Sequence, residues 1–191
     1  GVRVDLALGQ GFIGEADADR LISIENVNGS NFDDVLDGDA NANHLIGFSG
    51  NDILSGRDGD DILDGRYGND ILIGGMGADR LAGGDGADIF RYISVGESTK
   101  VIANRDTIKD FSSSEGDRID LSLIDANVNS PGAQSFTFIG TTAYTGSAGE
   151  VRYVLTSEGT IVYADIDGDR LSDLAILLEG NHALTGTDFI L

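Results

Sequence analysis

GFSGNDILS, GRDGDDILD and GRYGNDILI, residues 47–73, are one pattern written three times. Glycine stands first and fourth in each nonapeptide, aspartate sixth, isoleucine seventh and leucine eighth. The register runs outward to seven units, Gly29 to Arg91. Position one is always glycine: Gly29, Gly38, Gly47, Gly56, Gly65, Gly74 and Gly83. Position four is glycine in five units (Gly50, Gly59, Gly68, Gly77, Gly86), but Phe32 and Asn41 in the first two. Position six reads Asp34, Asn43, Asp52, Asp61, Asp70, Asp79 and Asp88, and position eight Leu36, Leu45, Leu54, Leu63, Leu72, Leu81 and Phe90.

A nine-residue period with one fixed apolar position excludes a helix, whose apolar stripe recurs every three or four residues. It predicts a six-residue turn followed by a three-residue strand with its middle residue inward. Glycine supplies the positive φ angles and close approach that such turns need. Two units complete a coil, so odd and even units build two facing parallel sheets with the position-eight side chains between them. The fold class is all-β: a parallel roll, or solenoid, with strand-rich caps. Residues 29–91 form the roll, 1–28 an N-terminal cap and 92–191 a C-terminal cap of α+β texture.

Composition narrows the function. The chain carries a net charge of −21 and has only 12 Lys and Arg. That balance excludes nucleic acid, which needs clustered cations, and disfavours an anionic membrane surface. The acidity is selective, with 26 Asp against 7 Glu; 13 of the Asp and none of the Glu fall in the repeats. Short carboxylate arms among glycines suit tight turns and hard-cation coordination. Without cysteine the chain has neither disulfides nor thiolate metal sites, and no apolar run is long enough to span a membrane. The chain opens directly on a strand-like alternation, Val2, Val4, Leu6 and Leu8, and reads as part of something longer.

The repeat, GGxGxD followed by an aliphatic at position eight, resembles the RTX, or haemolysin-type, calcium-binding nonapeptide. The resemblance implies several Ca²⁺ ions held between stacked turns. Its ligands would be the position-six side chains of Asp34, Asn43, Asp52, Asp61, Asp70, Asp79 and Asp88, with backbone carbonyls of the preceding turns. The turns are those of Gly47, Gly50, Gly56, Gly59, Gly65, Gly68, Gly74, Gly77, Gly83 and Gly86. Same-edge neighbours lie two units apart, pairing Asp34 with Asp52, Asn43 with Asp61, Asp52 with Asp70, Asp61 with Asp79 and Asp70 with Asp88. The Asn43 pair has lost a charge and is expected to bind most weakly, and the row to be best formed from Gly47 onward. Asp58, Asp60 and Asp64 add to the local field without needing to touch metal. The competing reading is a row of Asx turns in a metal-free solenoid.

Position seven points outward. In odd units it is Val35, Ile53, Ile71 and Ile89, in even units His44, Ile62 and Arg80. An aliphatic outer stripe of that length predicts a cover, expected from flanking segments of the same chain.

In the flanks, GEADADRLI (14–22) aligns loosely with the repeat but reads better as a turn, with SIENV (23–27) extending the stack. RDTIKDF (105–111), GDRIDLSLID (116–125), FTFIG (136–140) and GEVRY (149–153) resemble the C-terminal segment of serralysin-type secreted metalloproteases, which caps the roll in that family. Asp106, Asp110 and Asp117 are placed to reach a metal at the roll's end, but read better as solvated turn carboxylates. DIDGDRLSD (165–173) places Asp165, Asp167, Asp169 and Asp173 at spacings similar to calcium loops, without their usual glycine and terminal glutamate. Both a second metal loop and an acidic hairpin turn fit it. The ending Asp188, Phe189, Ile190, Leu191 resembles the export signal that type I ABC exporters read in the serralysin group.

An active site is not evident. The two histidines, His44 and His182, form no HExxH, and there is neither a GxSxG elbow nor a phosphate loop. The expectation is a non-enzymatic module that folds on calcium. It would be secreted by a type I exporter and attached to an N-terminal passenger, a hydrolase such as a zinc protease. The alternative is a module binding acidic polysaccharide, for which Arg57, Arg66 and Arg80 are the candidate cations in the roll.

Overall fold

The computed structural model describes residues 1–191, the side chains of Ile13 and Glu15 excepted. Successive repeat strands alternate between two sheets and pair in parallel with the strand eighteen residues on. In the first sheet Val35–Asp37, Ile53–Asp58, Ile71–Met76 and Ile89–Arg91 lie side by side. In the second, His44–Ser49, Ile62–Tyr67 and Arg80–Asp85 do the same. The register stacks position eight on position eight: Leu36 on Leu54, Leu72 and Phe90, and Leu45 on Leu63 and Leu81. All seven are 0% exposed. The roll and its two-unit coil therefore follow from the nine-residue period.

Several local expectations need correction. The five inner repeat strands are six residues long where three were expected, because pairing continues through the turn, with Arg57 opposite Gly75 and Asp58 opposite Met76, while the first and last, Val35–Asp37 and Ile89–Arg91, keep three. The turns have one another's backbone to bond with, for example Gly59 N–H donating to the Met76 carbonyl at 2.8 Å. The outer stripe is not covered either. Ile53 is 39% exposed, while Val35, Ile71 and Ile89 are half-buried. The flanking segments extend the sheets lengthwise and leave their outer faces without a second layer.

At the N-terminal end Arg3–Asp5 places Val4 beside Leu36, and Asn26–Asn28 places Val27 beside Leu45. SIENV thus supplies the extra rung, and Asp19 lies in the exposed turn before it. At the other end Ile108 stacks on Leu81 and Ile119 on Phe90. Phe189 then joins Ile119 and Leu178 joins Ile108. An antiparallel meander, Glu150–Leu155, Thr160–Asp165 and Leu174–Leu178, completes the second sheet. Among the described residues the last hundred contain no α-helix, only the 3-10 turns Ile102–Asn104 and Gly186–Asp188, so the expected α+β texture is β and loop.

The interior is two facing files of side chains, one from each sheet, so a gap in it has no further layer to fill it. Leu63→Ala is expected to destabilise the folded roll by about 2–5 kcal/mol, read from denaturant unfolding in excess calcium.

Candidate metal centre

Each repeat turn ends at position six, where backbone and carboxylate are both buried. The N–H of one unit donates to Oδ1 of the carboxylate two units on. The distances are 2.8 Å for Asp34 to Asp52, 2.7 Å for Asn43 to Asp61, and 2.8 Å for Asp52 to Asp70, Asp61 to Asp79 and Asp70 to Asp88. The ladder uses Oδ1 only. Oδ2 of Asp52, Asp61, Asp70, Asp79 and Asp88 is buried without a partner. An unpaired buried carboxylate oxygen is costly and needs a counterpart.

Position one shows where that counterpart would sit. A Cβ on Gly47, Gly56 or Gly65 would collide with Oδ2 of Asp52, Asp61 or Asp70, and would be wedged against the carbonyl of Gly65, Gly74 or Gly83 in the next same-edge turn. Gly74 and Gly83 likewise leave room for Asp79 and Asp88 Oδ2. The glycines of position one therefore keep open a row of small cradles walled by carboxylate and carbonyl oxygen, the donor set of a hard divalent cation. The residues fit calcium.

Positive φ falls at positions two and four, not at position one. Position four (Gly50, Gly59, Gly68, Gly77, Gly86) lies between +120° and +152°. There a Cβ would strike the turn behind; at Gly68 it would meet the Gly50 carbonyl. The first unit on each edge has no repeat turn behind it, which explains why Phe32 and Asn41 are accommodated. Position two is left-handed even where it is Phe48, Arg57 or Arg66, at +77° to +79°.

The row begins differently from how it continues. Asp34 is satisfied without metal: Oδ1 accepts from Val2 N–H (2.5 Å) and the Ser30 hydroxyl (3.0 Å), and Oδ2 from Ser30 N–H. Asn43 Oδ1 accepts from Asp39 N–H at 2.7 Å. At the far end the ladder runs past the repeats, Asp79 donating to Asp106 and Asp88 to Asp117, each at 3.0 Å. Asp106 and Asp117 are 0% and 2% exposed, which overturns their reading as solvated carboxylates. Asp110 is exposed and accepts from Gly83 and Gly84 N–H.

A second ladder, at position five, was missed. Asp33 accepts Asn51 N–H, Asn51 accepts Asn69 N–H and Asn69 accepts Ala87 N–H, at 2.8–2.9 Å. Asp60 accepts Ala78 N–H at 2.9 Å, so it ties turns together, and Asp64 pairs with Arg66. The signal was the run of Asp and Asn at position five, hidden beside the more regular position six.

The loop of residues 165–173 joins two meander strands. It brings Asp165, Asp167 and Asp173 carboxylates within 4.8 Å of one another, and leaves Asp169 outside that group. Asp165 is buried and accepts N–H bonds from Asp167, Gly168 and Arg170, while Asp173 accepts from Ile166. Asp165 is thus the hub of the turn, and its cluster with Asp167 and Asp173 fits a metal loop as well as an acidic hairpin. Asp188 accepts from Thr185 N–H and hydroxyl, and Phe189 is 6% exposed, so the terminal motif is folded into the end of the first sheet. His44 is half-buried in a repeat strand, and His182 sits against Phe111 near the far end of the roll.

A parallel roll with oxygen-lined cradles on stacked glycine turns defines a repeat module of the calcium-binding RTX class. A family model described as "Peptidase M10 serralysin C terminal" matches residues 11–191, and the chain belongs to that family. Among solved structures it is similar to the AlgE6R2 subunit of the Azotobacter vinelandii mannuronan C5-epimerase. The two are 27% identical over 88% of this chain and 93% of that one, with a TM-score of 0.54. The AlgE6R3 subunit of the same enzyme is 29% identical over 91% and 86%, with a TM-score of 0.40. No curated protein sequence matches.

Burial raises the position-six carboxylates, Asp52 and Asp61 to about 6, Asp79 and Asp88 to about 7. Their folded values lie above the ordinary 3.8, so the metal-free roll holds protons that the unfolded chain has released. Its stability is therefore greatest near or below the ordinary value and is lost as pH rises through 6 to 7. In chelator, the denaturation midpoint is expected to fall across that window.

Proposed function

We propose that the chain is a calcium-folded module that serves type I secretion and extracellular folding of a larger protein. The observation that carries this is the row of buried, unpartnered Oδ2 atoms at Asp52, Asp61, Asp70, Asp79 and Asp88. When bound, calcium supplies positive charge to that row. The protein's own contribution is placement: the position-six N–H bonds aim each carboxylate, glycine carbonyls of the next turn face Asp52, Asp61 and Asp70, and the leucines exclude water. Extracellular calcium modules bind with Kd of about 10⁻⁴–10⁻³ M. At ten times Kd a site contributes about 1.4 kcal/mol, so five contribute about 7 kcal/mol, the scale of a whole domain's stability. Such a chain would stay open in a calcium-poor cytosol, pass an ABC exporter unfolded and close outside the cell. Asp188 to Leu191 would be the exporter's signal, and the passenger a hydrolase such as a serralysin-type zinc protease; this chain itself would do no chemistry.

A second reading, binding of acidic polysaccharide, draws on the likeness to a mannuronan epimerase subunit. Phe32 and Tyr67 are 69% and 59% exposed, and the Arg66 guanidinium lies 5.7 Å from the Phe48 ring centroid on the same edge. Retention on immobilised alginate in calcium, lost in Arg66→Ala, would support it, and free passage would count against it.

The main reading predicts that far-UV circular dichroism of the chain shows little strand in excess chelator and full strand on calcium titration. Asp61→Asn and Asp70→Asn should each raise the calcium midpoint several-fold, whereas Asp34→Asn should move it little. A full strand signal in chelator contradicts the proposal.

A further inference from the structure

The N-terminal cap runs into the first repeat through Asn28 and Gly29, and no other asparagine of the chain precedes a glycine. That pair carries a reactivity of its own. The Gly29 amide nitrogen, once it has lost its proton to base, attacks Asn28 Cγ. The new C–N bond closes a five-membered succinimide, and the side-chain nitrogen leaves as ammonia. Water then opens the ring at either carbonyl, giving aspartate or isoaspartate. Glycine makes the closure fast, because no Cβ obstructs its nitrogen and its backbone turns freely. A slower neighbour does not fit here. A Cβ on Gly29 would collide with Asp34 Oδ2 and the Gly47 carbonyl. Packing of the first turn therefore imposes a labile partner on Asn28.

The folded chain blocks the reaction at both atoms. Asn28 ends the strand Asn26–Asn28 and lies opposite Ile46 in the second sheet. Gly29 N–H donates to the Ile46 carbonyl at 2.7 Å, which holds the proton that the attack must lose. Val27 points inward beside Leu45, so the Asn28 side chain points outward, away from the following nitrogen, and is exposed. Water and base therefore reach it as soon as the strand lets go. This strand ends its sheet and has a neighbour on one side only, so a single ladder protects it.

We propose that Asn28 is a deamidation site closed by folding of the roll, a timer that marks chains left unfolded. Isoaspartate is the product with a structural consequence, since it adds one carbon to the main chain between Val27 and Gly29. Val27 beside Leu45 and Gly29 N–H on Ile46 cannot then both be kept, because strand register admits no such insertion. A marked chain loses its N-terminal rung. Aspartates before glycine, at Asp37, Asp58, Asp64 and Asp85, close the same ring with water as leaving group and no change of mass, so Asn28 is read separately. The inference goes beyond the calcium reading and rests on it only for what opens and closes the roll.

The full chain is incubated at mildly alkaline pH in calcium, in chelator, and in calcium with urea sufficient to unfold it. Peptide mapping by mass spectrometry follows the amide-to-acid mass gain at Asn28, and fragmentation separates isoaspartate from aspartate. The gain is expected in urea and in chelator, and to be slower in calcium by about tenfold or more, a factor equal to about 1.4 kcal/mol of opening free energy. Asn28→Gln, which must close a larger ring, is expected to fold as wild type and to show no such gain at residue 28. Isoaspartate chains returned to calcium should need several-fold more of it to regain strand than Asn28→Asp, which has the charge without the extra carbon. Equal rates in calcium and urea, or no gain in urea, overturn the proposal. So does an isoaspartate chain that titrates with calcium as Asn28→Asp does. If the rate in chelator matches the slow rate in calcium while urea is fast, the calcium reading falls and protection by folding stands.

Discussion

The roll depends on a carboxylate with two unlike oxygens. At position six, Oδ1 is bound to the backbone of the turn behind, and Oδ2 points into space that the position-one glycine leaves open. The first oxygen sets the register between coils. The second makes that register expensive until positive charge arrives, because a buried unpaired anion is destabilising. On the proposed reading, one residue both specifies the fold and withholds it until calcium binds. Aspartate suits this position because its short arm reaches the neighbouring turn's N–H while remaining inside its own turn.

The rest of the architecture follows from that spacing. Turns stacked one coil apart leave no space for a Cβ at positions one and four, hence the glycines. The same spacing lets position five build its own ladder through Asp33, Asn51 and Asn69. Position eight becomes two facing buried files, too thin to form a core beyond leucine on leucine. A solenoid of this kind gains little from area alone, so its stability is lent by the turns and its ends must be closed by other chain.

The repeat, its two-sheet coil and the leucine and aspartate columns were legible because each recurs at a constant offset. What escaped depends on contacts between units or beyond them. Asp60 looked like surplus charge, yet it binds the turn eighteen residues on, a partner invisible within one nonapeptide. Asp106 and Asp117 sit in segments without the period, and only the stacking of Ile108 and Ile119 shows that they continue position six. Ile53 was expected to be covered because aliphatic stripes usually are; the flanks instead lengthen the sheets, since unpaired strand edges at the ends cost more than a partly exposed side chain. In the loop of residues 165–173 the spacing of the acids was readable, but not that Asp165 would spend its oxygens on backbone N–H groups.

The most direct measurement is residue-resolved hydrogen exchange of the position-six amides, Asp34, Asn43, Asp52, Asp61 and Asp70, at neutral pH with and without calcium. These N–H groups are the ones bound to the carboxylates of the row, so they report on the ladder itself. The account predicts strong protection of all five in calcium and near-random-coil exchange of all five in chelator. Protection that persists in chelator would contradict it, because the ladder would then stand without the charge it is held to require.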